Sequence, residues 1–328
     1  MARFREACFR HASYYEQVAR RAGELYLLSK NSAPEALNLF DAEWHNILVG
    51  QAWSSARYNE DIEAARLCSD FAWIATHCVI LRLHVHQWTH WLEMALGAAR
   101  RLGDRTAEAN ILANLGSALL QQKDSQRATE FFELSLPIMR EIHDRIREGQ
   151  ILGNLGLASA GLGQTVRAIE FFKQALLIAG ETGDRAGVVT VLGNLGLVHA
   201  AIGDFRQAIE LSEEALLIVR EVGDPLKEGR ILQNLGVYYA TLNLLQLHPA
   251  SLEYYKQALA VTREIGDRQG QGSTLFNISR LADRLGHHLD AIEVAKEALK
   301  LLEDINSPDV EKVREQLAQW GLPTISSG

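Results

Sequence analysis

The chain has 328 residues, of which 47% are hydrophobic and only 6 are proline, a composition that suits a folded protein with long helices. Its formal net charge is -8, and the acidic excess lies in residues 103–328, because residues 1–102 carry 11 basic and 11 acidic side chains. An acidic chain without a basic run interleaved with aromatic residues disfavours nucleic acid as the partner.

The cysteines and the absence of targeting signals predict the cellular compartment. Cys8, Cys68 and Cys78 are odd in number and their spacing predicts no disulfide framework, so we expect a reducing compartment. The first residues contain no apolar h-region, which predicts that no signal peptide is present. No apolar run approaches the roughly 18 residues that a membrane span requires. The sequence therefore predicts a cytoplasmic protein that does not bind a membrane.

The N-terminal region, residues 1–63, is predicted to contain helical segments near residues 3–28 and 34–57. Residues 64–102 are predicted to form a degenerate helix pair, one 40-residue period ahead of the repeats that follow. In this pair Trp88 falls where the later repeats carry a small residue. We therefore expect its two helices to pack differently from those of the later pairs.

From residue 103 to about 305 the sequence repeats itself five times. A turn tripeptide of the Gly-Asp-Arg type begins at Gly103, His143, Gly183, Gly223 and Gly266. A second marker of the Asn-Leu-Gly type begins at Asn114, Asn154, Asn194, Asn234 and Asn277. Both markers advance by 40 residues three times and then by 43 once. The three extra residues are therefore predicted to lie in the turn around Asn243–Pro249, and a fixed period of this length is typical of a solenoid.

Each repeat is predicted to be a pair of helices with defined ends. In the second repeat Leu152 and Leu155 recur at helical spacing, and Ala168 and Phe172 do the same after an intervening turn. A glycine at the end of the repeat can adopt the left-handed conformation that terminates a helix. The aspartate that follows it can cap the next helix, and a proline in the following position costs no hydrogen bond there.

The repeats resemble a known family at specific positions. The residues that match the signature of the tetratricopeptide repeat are Leu152, Leu155, Gly156, Ala168, Phe172 and Ala175. The 40-residue period and the Asn-Leu-Gly marker are similar to the long-repeat branch seen in kinesin light chains and Pins-type G-protein regulators. The resemblance implies an all-α, right-handed superhelical solenoid of antiparallel helix pairs that binds other proteins. The aromatic residues that the family carries in the first helix are mostly absent here.

The first hundred residues resemble a second arrangement. The matching stretches are His11-Ala12-Ser13-Tyr14-Tyr15, Glu43 and Asn46 ahead of Trp53, and Trp91-Leu92-Glu93-Met94-Ala95-Leu96. They look like the region that joins the nucleotide-binding module to its repeats in bacterial signal-transduction ATPases with numerous domains. The resemblance implies that this chain is a C-terminal sensor and that an ATPase module lies upstream on a longer protein.

The C-terminal end is predicted to close the array. Ser307 reads as an N-cap with Pro308 at the first helical position, and the helix is expected to run to about Trp320 before Gly321 stops it. A terminal helix with a polar outer face would protect the last repeat, so the whole segment 306–321 is predicted to be a cap. The last residues, 322–328, are predicted to be disordered.

The asparagines of the second marker are the best candidate binding residues. In repeats of this type the first helices line a concave groove, so the five asparagines Asn114, Asn154, Asn194, Asn234 and Asn277 are predicted to form a ladder along it. An amide side chain both donates and accepts, and in the resembling families asparagines at this position hold peptide main chains. The alternative is that each amide bonds its own neighbouring helix and only tightens the stacking of the repeats.

Side chains on the same helix face as the ladder are predicted to set specificity. The candidates are Gln150, Leu157, Leu197, Arg230, Gln233 and Arg280. The middle repeats offer small or apolar side chains, and the later ones offer basic ones. We therefore expect a partner that presents apolar residues and carries acidic residues at one end.

A group of histidines and cysteines suggests a metal site. Its members are Cys68, His77, Cys78, His84, His86 and His90. Two of these histidines would point apart on one helix and no H-E-x-x-H pattern is present, so we interpret them as structural or surface residues and expect no metal. The phosphate-binding pattern G-x-x-x-x-G-K-[ST] and any catalytic constellation are also absent, which predicts no cofactor and no enzyme activity.

The sequence therefore predicts a protein-interaction scaffold that binds a peptide or protein segment in a concave groove and serves as the sensor of a signalling regulator. The alternative is the sensor arm of a transcriptional regulator controlled by a small molecule.

Overall fold

The computed structural model describes residues 2–28, 32–74, 78, 85–242 and 249–321, and the regular elements within these ranges are all α-helices. In chain order they are α1 (Ala2–Leu28), α2 (Ala33–Ala42), α3 (Trp44–Ser55), α4 (Ile62–Ile74), α5 (Val85–Leu102), α6 (Arg105–Gln121), α7 (Ser125–Glu141), α8 (Arg145–Gly161), α9 (Thr165–Thr182), α10 (Arg185–Ala201), α11 (Phe205–Val222), α12 (Pro225–Leu242), α13 (Pro249–Glu264), α14 (Arg268–Arg284), α15 (His288–Asp304) and α16 (Val310–Gln319). The predicted all-α class, built from packed helix pairs, is confirmed. Among the residues described, no helix is both long enough and apolar enough to cross a membrane.

The chain divides into two compact units, each with its own packing. The N-terminal unit comprises Met1–Ile178 and the C-terminal unit comprises Ala179–Gly328, so the division falls inside α9. Buried aromatic and aliphatic side chains such as Phe71 and Phe132 form the core of the N-terminal unit. At the end of the C-terminal unit, Leu302 and Val313 pack in one cluster, against which Phe276 of α14 also packs.

The turns between repeats have the geometry that the sequence predicts. Gly183 lies in the left-handed region with φ +70°, and one carboxylate oxygen of Asp184 accepts a hydrogen bond from the backbone N–H of Gly187 at 2.8 Å. Pro225 is the first residue of α12, as predicted. At the start of the second repeat His143 takes the glycine position with φ +58°. The same two-residue device, a left-handed residue followed by a capping aspartate, therefore joins successive repeats.

Inside a pair, a glycine of the first helix faces a large side chain of the second. A Cβ atom placed on Gly156 would come within 2.7 Å of the ring of Phe172, whose side chain is fully buried. Gly236 faces Tyr255 in the same way, but Gly196 faces Ser212, with the hydroxyl 3.0 Å from such a Cβ. The glycine of the Asn-Leu-Gly marker therefore makes room for an aromatic ring in most pairs.

A carboxylate buried between two arginines joins one helix pair to the next. The Glu148 carboxylate, with 5% of its side chain exposed, lies 2.8 Å from Arg140 at the end of α7 and 2.6 Å from Arg145 in its own first turn. In the preceding repeat Glu108 pairs in the same way, and in the fourth repeat Glu228 lies 2.8 Å from Arg220. We call the pair formed by the glutamate and the arginine at the end of the preceding helix the glutamate clamp; Glu108 and Glu148 also pair with a second arginine in their own first turn.

The third repeat lacks the glutamate clamp. Its positions are occupied by Gly180 and Val188, which stand where the second repeat carries Arg140 and Glu148. Arg185 is retained but it pairs with Glu221. The clamp is thus absent from the α9–α10 helix junction, which has no ion pair at these two positions.

The N-terminal region departs from the prediction at one point. The segment predicted as one helix over 34–57 is two helices, α2 and α3, because Glu43 leaves the helical region with φ -106° and ψ 9°. The ring of Trp44 lies 5.2 Å from Phe40 and stacks on Trp91 at 6.0 Å. Trp88, predicted to alter the packing of its pair, is buried with 2% exposure.

The C-terminal helix begins later than predicted. α16 begins at Val310, two residues after the predicted first helical residue Pro308. The Ser307 hydroxyl oxygen still accepts a hydrogen bond from the backbone N–H of Asp309 at 3.1 Å, as a capping serine does. The Val310 N–H donates to the carbonyl of Ser307 at 3.2 Å. This hydrogen bond joins residues three apart, as in a 3₁₀ turn, whereas an α-helix joins residues four apart. Gly321 follows the helix with φ +86°, as a stop residue should. The predicted insertion around Asn243–Pro249 and the predicted tail 322–328 lie, apart from the backbone of Pro249, outside the described residues.

Candidate functional site

The predicted ladder residues occupy equivalent places on the first helices of the five repeats. Each of the asparagines at positions 114, 154, 194, 234 and 277 is half-buried, and the leucine that follows Asn154 or Asn194 is buried in the core. Within the part of the chain that the structure describes, none of the five amides hydrogen-bonds to another protein group. The alternative that each amide bonds its neighbouring helix therefore has no support in these contacts.

The N-terminal unit contains a cleft between α6 and α8 that two ladder residues line. Asn114 and Asn154 line it together with Gln150, and the cleft, which is open to solvent, contains about 1210 Å³ of empty space. Arg147 also lines the cleft, where its guanidinium donates to the Asn110 amide oxygen and lies 3.4 Å from Asp144. Since a carboxylate already lies beside this guanidinium, the cleft offers mainly neutral amides to a ligand.

The C-terminal unit contains a smaller cleft between α10 and α12, of about 410 Å³. Asn194 and Asn234 line it, so the pairing of two ladder residues recurs in this unit. Leu197, whose surface is 43% exposed, forms an apolar part of the wall. Lys227 and Arg230 supply positive charge. This cleft therefore combines free amides, an apolar wall and two cations.

The two cations differ in how far they are compensated. The Lys227 ammonium lies 3.6 Å from Asp224, a distance that leaves it loosely paired. Arg230 is exposed and makes no hydrogen bond or ion pair with the residues described. An acidic group on a ligand would therefore meet an available guanidinium beside the amide of Asn234.

Several predicted residues lie outside both clefts. Asn277 and Arg280 lie on α14, where the Arg280 guanidinium is 5.9 Å from the centroid of the Phe276 ring. Leu157 is 40% exposed on α8 but does not line the cleft there. Gln233 uses its amide nitrogen to bond the Gly270 carbonyl at 2.8 Å and the Thr274 hydroxyl, so it ties α12 to α14. Of the six predicted specificity residues, the structure brings Gln150, Leu197 and Arg230 to the clefts.

A model of the tetratricopeptide repeat family matches residues 147–221, 189–247 and 240–304. Residues 147–304 are tetratricopeptide repeats. These matches cover just under half of the chain and include the whole of the cleft between α10 and α12. No curated protein sequence matches the chain.

Solved structures with tetratricopeptide-type folds are similar to the chain at low sequence identity. BtubC (BKLC) from P. vanneervenii has 20% identity and a TM-score of 0.59, covering 68% of this chain and 93% of that one. A signal-transduction ATPase with numerous domains and a tetratricopeptide repeat sensor, from Pyrococcus horikoshii, has 15% identity and a TM-score of 0.60, covering 89% of this chain and 45% of that one. The Rap conjugation gene regulator of plasmid pLS20 in complex with the Phr* peptide has 16% identity and a TM-score of 0.59, covering 95% and 91%.

Three residues that line the clefts were not among the predicted site residues. Arg147 and Lys227 each lie seven positions before a ladder asparagine, and Asn110 lies four positions before one. Positions four and seven apart share a helix face, so the 40-residue alignment of the repeats held the signal. The prediction used positions three and four residues from the asparagines in the later repeats, but it did not apply them to Asn110 in the first repeat and did not extend to the position seven residues before each asparagine.

The predicted histidine and cysteine group is only partly described. His77 and His84 lie outside the described residues. Among those that the structure does describe, no three His, Cys, Asp or Glu side chains come together to hold a metal ion. Cys68 is buried, and this burial raises the pKa of its thiol to about 12. A thiol in this environment stays protonated and is a poor nucleophile or metal ligand.

Proposed function

We propose that this chain binds an extended segment of another protein along the asparagine-bearing faces of its first helices. The observation that carries the proposal is that five amides recur at one position, stay half-buried and have no hydrogen-bond partner among the described residues. Tetratricopeptide repeat proteins are typically non-enzymatic scaffolds for protein interactions, which supports this class of function.

The amides suit a main-chain ligand for a chemical reason. Each amide offers two N–H donors and a carbonyl acceptor, the complement of the N–H and C=O groups of an extended peptide. In the free protein water can satisfy these groups, because they are partly exposed. A bound peptide would replace that water with direct hydrogen bonds, and it would gain affinity without any requirement on its sequence.

The charges in the C-terminal cleft add a preference to the partner. Arg230 and Lys227 stand beside Asn194 and Asn234, and Leu197 supplies apolar contact. A segment with an acidic side chain next to an apolar one fits this arrangement. The negative net charge of the whole chain does not oppose this preference, because within this cleft the two charged lining residues are both basic.

We further propose that the chain is the sensor of a signalling regulator that extends beyond these residues. The sensor-bearing ATPase of Pyrococcus horikoshii supports this proposal, since this chain covers 45% of its length. The Rap regulator that was solved with its Phr* peptide supports a peptide as the class of ligand. Under this proposal ligand binding favours one packing of the helices and thereby reports to an attached module.

The test uses paired substitutions within each unit. A peptide is first selected from a random library against the intact chain. The variants Asn114→Ala/Asn154→Ala and Asn194→Ala/Asn234→Ala are then compared with the wild type by fluorescence anisotropy and thermal melting. We expect at least one pair to weaken binding about 10- to 100-fold, because each stranded peptide group costs roughly 1–3 kcal/mol. Melting should change little.

A matched control is Gln174→Ala, which removes an exposed amide from a second helix. This variant should bind the peptide like the wild type. A fall in melting temperature with unchanged affinity in both ladder pairs would show that the asparagines are structural, and the proposal would then be wrong.

A further inference from the structure

A second cavity lies on the second helices of the C-terminal unit, away from the ladder. It is formed between α11 and α13, is open to solvent and contains about 870 Å³ of empty space. Leu216 and Leu217 supply much of its apolar wall, and Leu217 is 66% exposed although it is a large aliphatic side chain. The cavity is thus an accessible apolar pocket that the proposed groove function does not use.

The Glu213 carboxylate at the edge of this pocket is fixed in position. One of its oxygens, Oε1, accepts hydrogen bonds from the Tyr239 hydroxyl at 2.8 Å and the Tyr254 hydroxyl at 3.0 Å. The two tyrosine rings stack with their centroids 5.4 Å apart, which holds both donors in place. Burial and the nearby Glu213 carboxylate both raise the pKa of Tyr254, so its hydroxyl stays protonated and can donate.

Among the described residues, no basic side chain forms an ion pair with either carboxylate at this pocket. Oε2 of Glu213 has no hydrogen-bond partner among the described residues. Glu253, on the opposite wall, accepts only from the Gln257 amide at 3.1 Å within those residues. Arg220, the one basic residue in the described lining, pairs with Glu228 at 2.8 Å and donates to Gln257 at 3.1 Å. Two uncompensated carboxylates therefore flank an apolar wall.

From this arrangement we infer that the pocket between α11 and α13 binds a basic, amphipathic segment of a partner protein. A lysine or arginine side chain reaches Glu213 Oε2 and Glu253, and an adjacent leucine-sized side chain packs on Leu217. Charge complementarity selects the basic residue and the apolar wall selects its neighbour. An arginine can also lie against the face of Tyr254.

The fixed carboxylate makes this inference specific. A surface glutamate normally loses side-chain entropy when it pairs, which is one reason why exposed ion pairs contribute little. Glu213 has already lost that freedom because two tyrosines hold it. A cation that binds its second oxygen therefore meets a pre-organised acceptor.

The experiment uses two labelled eight-residue peptides, one with alternating leucine and arginine and one with glutamate in place of arginine. Their binding to the intact chain is measured by fluorescence anisotropy. We expect the basic peptide to bind and the acidic one to bind at least tenfold more weakly. Glu213→Gln should lower the affinity for the basic peptide at least tenfold, since it removes the charge and keeps an acceptor for the tyrosines.

The matched control is Glu214→Gln, which removes an exposed carboxylate one residue away that does not line the pocket. It should bind the basic peptide as the wild type does. If Glu213→Gln lowers the melting temperature, Leu217→Ser serves as the second variant. An exposed leucine contributes little to folding stability, and its loss should also weaken binding of the basic peptide.

Three results would overturn the inference. The first is failure of the basic peptide to bind, and the second is an equal loss of affinity in the two glutamate variants. The third is displacement of the basic peptide by the peptide selected for the asparagine groove, which would place both ligands on one surface. Loss of groove binding alone would leave this inference standing, so the two proposals fail separately.

Discussion

Glu148 illustrates how a single charged residue can be buried at a helix junction. Its carboxylate accepts from Arg140 and Arg145, and both arginines keep about half of their side chains in solvent. Burial alone would raise the pKa of Glu148, but the hydrogen bonds and charges of the two arginines outweigh it and hold that pKa below the ordinary value.

This pKa predicts a defined pH dependence of stability. Because the folded-state pKa is depressed, the carboxylate stabilises the fold above the ordinary glutamate pKa of about 4.3, and that stabilisation is lost as the pH falls through the lower folded value. We expect Glu148→Gln to lower the free energy of unfolding by about 1–3 kcal/mol at pH 7. Urea unfolding at pH 7 and pH 3 should show this gap narrowing in acid, and a constant gap would contradict it.

A substitution at Leu155 tests which face of α8 is buried in the core. Its side chain is fully buried in the N-terminal unit, so Leu155→Ala should lower the free energy of unfolding by about 2–5 kcal/mol. Leu177→Ala is the control within the same repeat, since that leucine is 64% exposed and its loss should cost little. Denaturant unfolding of both variants measures the difference. Equal effects would mean that the assigned helix faces are wrong.

At the scale of elements, the glycine of each Asn-Leu-Gly marker determines how closely its pair of helices packs. Gly156→Ala would place a Cβ 2.7 Å from the buried ring of Phe172, whereas Gly196→Ala would place one 3.0 Å from the Ser212 hydroxyl and 3.4 Å from the Ala208 carbonyl oxygen. We expect the first variant to be destabilised by about 1–3 kcal/mol through overpacking and the second to be affected less. Thermal melts of the two alanine variants make this comparison, and the opposite order would refute the packing argument.

The helices of the repeats could be predicted closely because their signals are local and recur. A left-handed residue, a capping aspartate and a helical period of apolar residues all act within a few positions, as at Gly183 and Asp184. The break at Glu43 could not be predicted in this way. It accompanies packing of Trp44 against Trp91, a contact between residues far apart in sequence.

The candidate site could be predicted only in part. The amides of the ladder recur at one helical position, so their common face follows from the period alone. Gln233 bonds Gly270 and Thr274 instead of facing a ligand. These bonds depend on the spacing between α12 and α14, which no local sequence pattern specifies. The recurring glutamates at positions 108, 148 and 228 can be read from the sequence. That they pair with arginines of the preceding helix is shown by the structure.

At the scale of the whole molecule, the glutamate clamp occurs in the first, second and fourth repeats but not in the third, nor in the fifth, where Gln271 stands at the glutamate position. The clamp is absent at Gly180 and Val188, and the division between the two compact units falls next to these residues, at Ile178. Positions 180 and 188, both in the C-terminal unit, therefore lack an ion pair that the first, second and fourth repeats possess.

Restoring the missing clamp should strengthen the packing at these two positions. Gly180→Arg with Val188→Glu recreates the pair found at 140 and 148, and a Cβ at Gly180 meets no atom within 4 Å. We expect a favourable coupling of about 1 kcal/mol between the two substitutions. The control is Gly180→Ala with Val188→Glu, because alanine supplies the helix propensity without the guanidinium. Chemical denaturation of the single and double variants measures the coupling, and a coupling near zero would show that the clamp does not stabilise helix junctions.

The first repeat carries a glutamate near its start, and it carries an arginine near its end that pairs with the glutamate of the next repeat. This arrangement affects how the number of repeats can increase in evolution. A tandem duplication of residues 103–142 would place a new copy of Glu108 beside the existing Arg140, and the new copy of Arg140 beside the existing Glu148. Both new seams would be capped by the same left-handed residue and aspartate. A single duplication would therefore lengthen the protein by one repeat and add one more asparagine to the ladder. No further substitution would be needed at either junction of the new repeat.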